Sequence, residues 1–241
     1  MKIAVIGAGA MGSLYGGRLA KAGNEVVLYD INKKHVDAVN KKGLSIEDIT
    51  TGETMLTRPK ASSDPAAVAG SDVIIIFVKS TATEAVADQF GDTIGSDTIV
   101  MTLQNGVGNE AILRRYFGET HTAAGVTSEG ATFLGPGSIR HAGKGPTHLC
   151  MSDKNNKRLA PLVRELTNAG FEADVEENIE NLIWSKLIIN IGINALTALT
   201  GLQNGKLLDY PETKTLIKEL VEEAVQVVAA KGFQLTYENP V

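Results

Sequence analysis

Residues 2–30 run as an apolar stretch, the glycine pattern Gly7-x-Gly9-x-x-Gly12, a helical stretch, a second apolar run and an acidic residue, Asp30. That order describes a strand, a tight turn, a helix and a second strand. Gly7 permits the turn, Gly9 lets the backbone approach a pyrophosphate, and Gly12 lets the helix lie close on the strand. The helix N-terminus offers unpaired N–H groups and partial positive charge to phosphates. A glycine pattern alone is weak, but with both strands, the helix and the acid in place it predicts a nucleotide-binding Rossmann unit. The residues expected at the dinucleotide are Gly7, Ala8, Gly9, Ala10, Met11, Gly12 and Asp30. The competing explanation is a doubly wound fold whose turn holds nothing.

The 241 residues suffice for one large or two modest domains, and 43% hydrophobic with 21% charged residues is ordinary globular composition. A net charge of -5 argues against nucleic acid or an anionic membrane as partner, since both demand a basic surface. A single cysteine, Cys150, fits a reducing cytoplasm. The chain enters its first strand with no preceding apolar leader, so no secretion is expected. The apolar run Val73 to Val78 is far too short to span a bilayer.

Periodicity and punctuation predict alternating strands and helices as far as Phe117. Asn32 to Lys42 is a polar helix closed by Gly43, Thr51-Gly52 turns a hairpin, and Asp64-Pro65 caps a short helix. Strand Val73 to Val78, helix Thr81 to Phe90, strand Thr98 to Leu103 and helix Asn109 to Phe117 follow. From Thr122 to Met151 the glycine spacing suggests antiparallel strands on the edge of the sheet. A helix to Ala169 and a strand to Val175 complete the domain. Two long helices, Ile179 to Leu199 and Pro211 to Ala230, come last. The expected class is α/β: a Rossmann-type, mainly parallel doubly wound sheet over residues 1–176, then an all-helical region over 177–241.

Three polar residues interrupt the first of those helices. Lys186, Asn190 and Asn194 fall at i, i+4 and i+8 among Trp184, Leu187, Ile188, Ile191 and Leu196, so they share a stripe about 12 Å long. An apolar helix of this kind is expected to be buried, and an ammonium with two amides in it would need a polar ligand. Alternatively Lys186 snorkels to water and the asparagines satisfy the backbone. Lys79 and the turn Gln104-Asn105-Gly106 end two strands, where open α/β sheets bind ligands. His141, His148 and Cys150 match no usual zinc spacing, so no metal is expected. The serine elbow and the phosphate-binding Walker lysine are both missing from the sequence.

Taken together, KIAVIGAGAMGS, FVKS, LQNGVGNE and WSKLIINIGINALTAL resemble the ketopantoate reductase family, from Met1 to about Ala230. The resemblance implies that Lys186 is the general acid, protonating the developing alkoxide while a reduced nicotinamide delivers hydride to the C2 ketone of ketopantoate. It implies that Asn105 lies beside the nicotinamide and orients that lysine and carbonyl. Asn190 and Asn194 would bind the substrate's hydroxyl end, and Lys79 would line the cofactor crevice. The implied partner is a small 2-oxo acid; the apolar stripe of Pro211 to Ala230 leads to the expectation of a homo-oligomer, a dimer, in the cytoplasm, without nucleic-acid or membrane partners.

Members of the family that use NADPH typically carry an arginine after the second strand, whereas this chain reads Tyr29-Asp30-Ile31-Asn32-Lys33-Lys34. Asp30 suits a ribose diol and favours NADH, with NADPH the alternative through Lys33 and Lys34. Family members continue through further helices carrying a serine or asparagine for the carboxylate and a glutamate near the ketone. The sequence ends at Val241 before either, so residues 177–241 are expected to form a partial substrate and dimerisation domain. The competing expectations are a β-hydroxyacid dehydrogenase of the 3-hydroxyisobutyrate or 6-phosphogluconate type, and a truncated dinucleotide-binding protein without catalysis.

Overall fold

The computed structural model describes residues 1–237. The chain divides into two compact units, one of Met1–Gln104 with Gly108–Glu177, the other of Asn105–Val107 with the residues from Asn178 onward.

In the first unit β1 (Lys2–Ile6), α1 (Ala10–Lys21) and β2 (Glu25–Tyr29) are followed by α2 (Lys33–Lys42) and the hairpin β3 (Leu44–Asp48) and β4 (Thr54–Thr57). Then come β5 (Lys60–Ser62), β6 (Val73–Ile76), α3 (Thr83–Phe90), β7 (Ile99–Thr102) and α4 (Asn109–Phe117). The unit closes with β8 (Thr122–Thr127), β9 (Gly130–Gly135), β10 (Ser138–Gly143), β11 (Thr147–Met151), α5 (Ala160–Asn168) and β12 (Ala173–Val175). Helix α3 starts later than its sequence suggests because Ser80–Ala82 forms a separate 3-10 turn.

Eight strands form one sheet in the order β12-β11-β8-β7-β6-β1-β2-β5. All its neighbours run parallel except β8 and β11. Both faces are covered, which is why the central strands read as continuous apolar runs. Ile3 and Val5 of β1 and Val73 and Ile75 of β6 join one core with Leu14, Leu19 and Leu28. Their alternates Ala4, Ile6, Ile74 and Ile76 join a second core with Val86, Phe90 and Leu113 of α3 and α4.

The Thr122 to Met151 segment corrects the expectation of an edge. Strands β8 and β11 lie inside the main sheet, with β12 outside them, while β9 and β10 leave it to form a second sheet in the order β4-β3-β10-β9. Helix α1 packs on both sheets. A Cβ on Gly16 would lie 2.3 Å from Leu28 of the main sheet, and one on Gly17 would lie 2.7 Å from Ile46 of the second.

The second unit holds α6 (Ile179–Thr200) and α7 (Pro211–Ala230). Ile188, Val221, Ala224 and Val228 form its core, with Trp184 and Phe233 stacked at 5.6 Å. Helix α6 is less covered than its all-round apolar sequence implies, since Ile189 is 45% and Leu199 82% exposed. By length and composition alone it could cross a membrane, a test that a core helix also passes.

Candidate active site

The glycine turn joins β1 to α1. Gly7 takes φ +93°, and a Cβ there would lie 2.7 Å from the Val78 nitrogen. A Cβ on Gly12 would fall 2.0 Å from the Gly7 carbonyl oxygen. Both positions therefore exclude a side chain, and they let α1 begin directly above β1. Gly9 differs, because a Cβ there would meet nothing within 4 Å. The first turn of α1 carries no acidic residue and Gly9 brings no side-chain cap, and the N–H groups of Ala10, Met11 and Gly12 lack intrahelical acceptors. Open space, orphan donors and the positive helix end fit a pyrophosphate.

Asp30 directly follows β2, where its Oδ1 accepts the Asn32 N–H at 2.8 Å and its main-chain carbonyl accepts the Ser63 hydroxyl at 2.8 Å. Asn32 caps α2, and Lys33 and Lys34 in the first turn of that helix are exposed. His35 is buried on the same helix. Its Nδ1 accepts the Gly137 N–H at 3.0 Å, and a backbone N–H can only donate, so the ring proton sits on Nε2. Nε2 lies 3.2 Å from the Ser13 Oγ, which donates to the Ala8 carbonyl at 2.8 Å. The neutral imidazole thus braces the glycine turn.

Burial pushes His35 below its usual 6.5, against the opposing pull of Asp30. A group whose folded value is depressed contributes stability that is complete above the unfolded value and is lost as pH falls through the folded one. Thermal melts should therefore show stability declining below about pH 6.5, and His35→Gln should remove that part of the slope. An identical acid slope in the variant would assign it to other groups.

Lys79 and Ser80, beyond the end of β6, are exposed, and so is Asn105 beyond β7. Asn105, as part of Asn105–Val107, belongs to the same compact unit as Lys186, Asn190 and Asn194 of α6. Lys186 and Asn190 are half-buried and Asn194 is exposed. Loss of hydration lowers the Lys186 ammonium below its usual value of 10.5. A lysine so placed releases a proton more readily than one in water, which is the property a general acid needs.

The histidines elsewhere have structural partners. His141 is buried against Glu129, and His148 lies 2.5 Å from Asp174. Among the described residues no three His, Cys, Asp or Glu side chains are grouped as a metal would require. Sequence reasoning passed over His35, and it took Gln104 as part of a turn without its side-chain partners. Their partners Gly137 and Val78 stand 102 and 26 residues away, so no local pattern points to either.

Residues 3–154 match the family described as "Ketopantoate reductase PanE/ApbA" and residues 178–241 its C-terminal counterpart. The 2-dehydropantoate 2-reductase of Halobacterium salinarum is 34% identical over 237 residues, covering 98% of this chain and 78% of the relative. The chain belongs to the ketopantoate reductase family. A similar enzyme of Pyrococcus horikoshii is 34% identical over 97% of this chain and 75% of its own. Among solved structures, a PanE/ApbA family ketopantoate reductase from Ralstonia eutropha superposes with TM-score 0.89 at 35% identity, over 99% of this chain and 77% of that one. D-Mandelate dehydrogenase with NADH and anilino(oxo)acetate superposes with TM-score 0.90 at 28% identity, over 98% and 76%.

Proposed function

We propose that this chain reduces the C2 ketone of 2-dehydropantoate to give pantoate, using a nicotinamide cofactor. The observation that carries the reading is Lys186, an ammonium whose proton is loosened by burial on an apolar helix, in register with Asn190 and Asn194. Membership of the ketopantoate reductase family supports the same reaction.

Residues 1–176 hold the dinucleotide, at Gly7, Ala8, Gly9, Ala10, Met11 and Gly12 for the pyrophosphate and Asp30 for the adenosine ribose. The reduced nicotinamide supplies the hydride when bound. Lys186 gives its proton to the C2 oxygen as negative charge develops there, so that no full alkoxide forms. Asn105 orients this lysine and the carbonyl, Asn190 and Asn194 hydrogen-bond the substrate's hydroxyl end, and Lys79 lines the crevice. Apolar side chains exposed on the helical unit, Ile189, Leu199, Leu216 and Val227, support self-association as a dimer. The one cysteine, buried Cys150, is in keeping with a cytoplasmic enzyme.

A turnover screen of 2-oxo acids with NADH and NADPH tests the reading. The likeness to D-mandelate dehydrogenase supports a second one, a bulkier aromatic 2-oxo acid as substrate. Faster turnover of phenylglyoxylate than of ketopantoate would decide for it.

NADH is the preferred cofactor in this reading, because Asp30 retains Oδ2 for the ribose hydroxyls and repels a 2′-phosphate. Asp30→Ala is expected to narrow the gap in affinity between NADH and NADPH, read by fluorescence titration. Tighter binding of NADPH by the wild-type chain would transfer the decisive role to Lys33 and Lys34.

A further inference from the structure

The sheet order puts β1 between β2 and β6, so the chain reverses direction across the sheet at the β1/β6 boundary. Ligands of doubly wound folds straddle that boundary, and the acid following β2 marks the adenosine side. The other half of a dinucleotide then lies over the ends of β6 and β7. A side-chain network of the first unit is built there around Gln104.

The Gln104 Nε2 donates to the Val78 carbonyl at 2.7 Å and to the Thr83 Oγ1 at 2.9 Å, while its Oε1 accepts the Thr102 hydroxyl at 2.9 Å. A carbonyl can only accept, so the amide has one possible orientation. The Thr83 hydroxyl, which accepts from Gln104, donates to the Asn109 Oδ1 at 3.0 Å, and the Asn109 Nδ2 donates to the Ser80 Oγ at 3.3 Å. Thr83, Thr102 and Asn109 are all buried. Together the links join the tail of β6, β7 and the first turns of α3 and α4. Val78 and Ser80, both held by the network, are the neighbours of Lys79, and Gln104 directly precedes Asn105.

We propose that Gln104, acting through Thr83 and Asn109, is a positioning residue for the nicotinamide half of the cofactor. The proposal rests on the reading of this chain as a nicotinamide-dependent reductase. Gln104 sets the turn that presents Lys79 and the start of the turn that presents Asn105, and it takes no part in the chemistry itself.

The test compares binding of ADP-ribose with binding of whichever of NADH and NADPH the wild-type chain takes more tightly. Gln104→Leu and Thr83→Val keep shape and remove the bonds. Each is expected to weaken the dinucleotide about tenfold, the scale of one or two lost hydrogen bonds, and to leave ADP-ribose unchanged. Thr83→Ser keeps the hydroxyl and should bind as wild type does. Equal losses for both ligands would make the network a general prop of the fold, and unchanged dinucleotide affinity would show that it positions nothing; either overturns the proposal. If Gln104→Leu does not fold, the Thr83 pair decides alone. A wild-type chain that binds ADP-ribose but neither dinucleotide overturns the proposed function, and this proposal with it.

Discussion

Lys186→Ala is expected to lower turnover at least about 10²-fold, the ordinary scale for removing a general acid, and to leave cofactor affinity nearly unchanged. In free energy the loss is about 2.7 kcal/mol or more of transition-state stabilisation. The physical reason is the position of the ammonium. Within a largely apolar helix, Lys186 is half-buried and holds its proton less tightly than in water. Removing it leaves the reduced carbonyl without a proton source, whereas the glycine turn proposed to hold the dinucleotide belongs to the other unit. Near-normal turnover in the variant would return Lys186 to a lysine that only reaches for water.

The same placement sets a pH dependence. A general acid works only when protonated, so the rate should fall as pH rises through the Lys186 value, which burial has moved below 10.5. The alkaline limb of the rate profile should therefore lie on the acidic side of an exposed lysine's titration. A profile in the wild type that stays flat up to the ordinary lysine range would remove this assignment.

How far the sequence foretold the molecule depended on how local each feature was. The run Lys2 to Asp30 was legible because strand, turn, helix and acid are consecutive, and its alternating burial in two cores follows from helices on both faces. The second sheet was not legible, because β3 and β10 are paired in parallel from distant parts of the chain and nothing near either strand names its partner. The pair Gly16-Gly17 was the one local trace, two small residues side by side on a helix that must fit between sheets. At the candidate site, Lys186, Asn190 and Asn194 stood out by spacing on one helix, while the membership of Asn105 in the same compact unit depends on tertiary packing. Burial of α6 was over-read, since an apolar sequence states what a face would favour and not what covers it.

Two glycines of the same motif should fail in opposite ways. Gly12→Ala places a Cβ where the Gly7 carbonyl oxygen stands 2.0 Å away, and neither backbone can yield without opening the contact between β1 and α1. Destabilisation of about 1–3 kcal/mol or more is expected, the range for overpacking, together with loss of dinucleotide binding. Gly9→Ala meets nothing within 4 Å, and with φ -64° the residue sits in ordinary backbone space that alanine also adopts. That variant should melt within about 0.5 kcal/mol of the wild type, as surface substitutions do. Its methyl group would nevertheless fill the space that a pyrophosphate needs beside the helix end, so dinucleotide affinity should drop at least about tenfold, a cost of about 1.4 kcal/mol. Melting curves and a fluorescence titration on the two variants separate folding from binding. If Gly9→Ala binds NADH and NADPH as tightly as the wild-type chain, the open face of the turn is not where phosphates sit, and the glycines serve the packing of α1 alone.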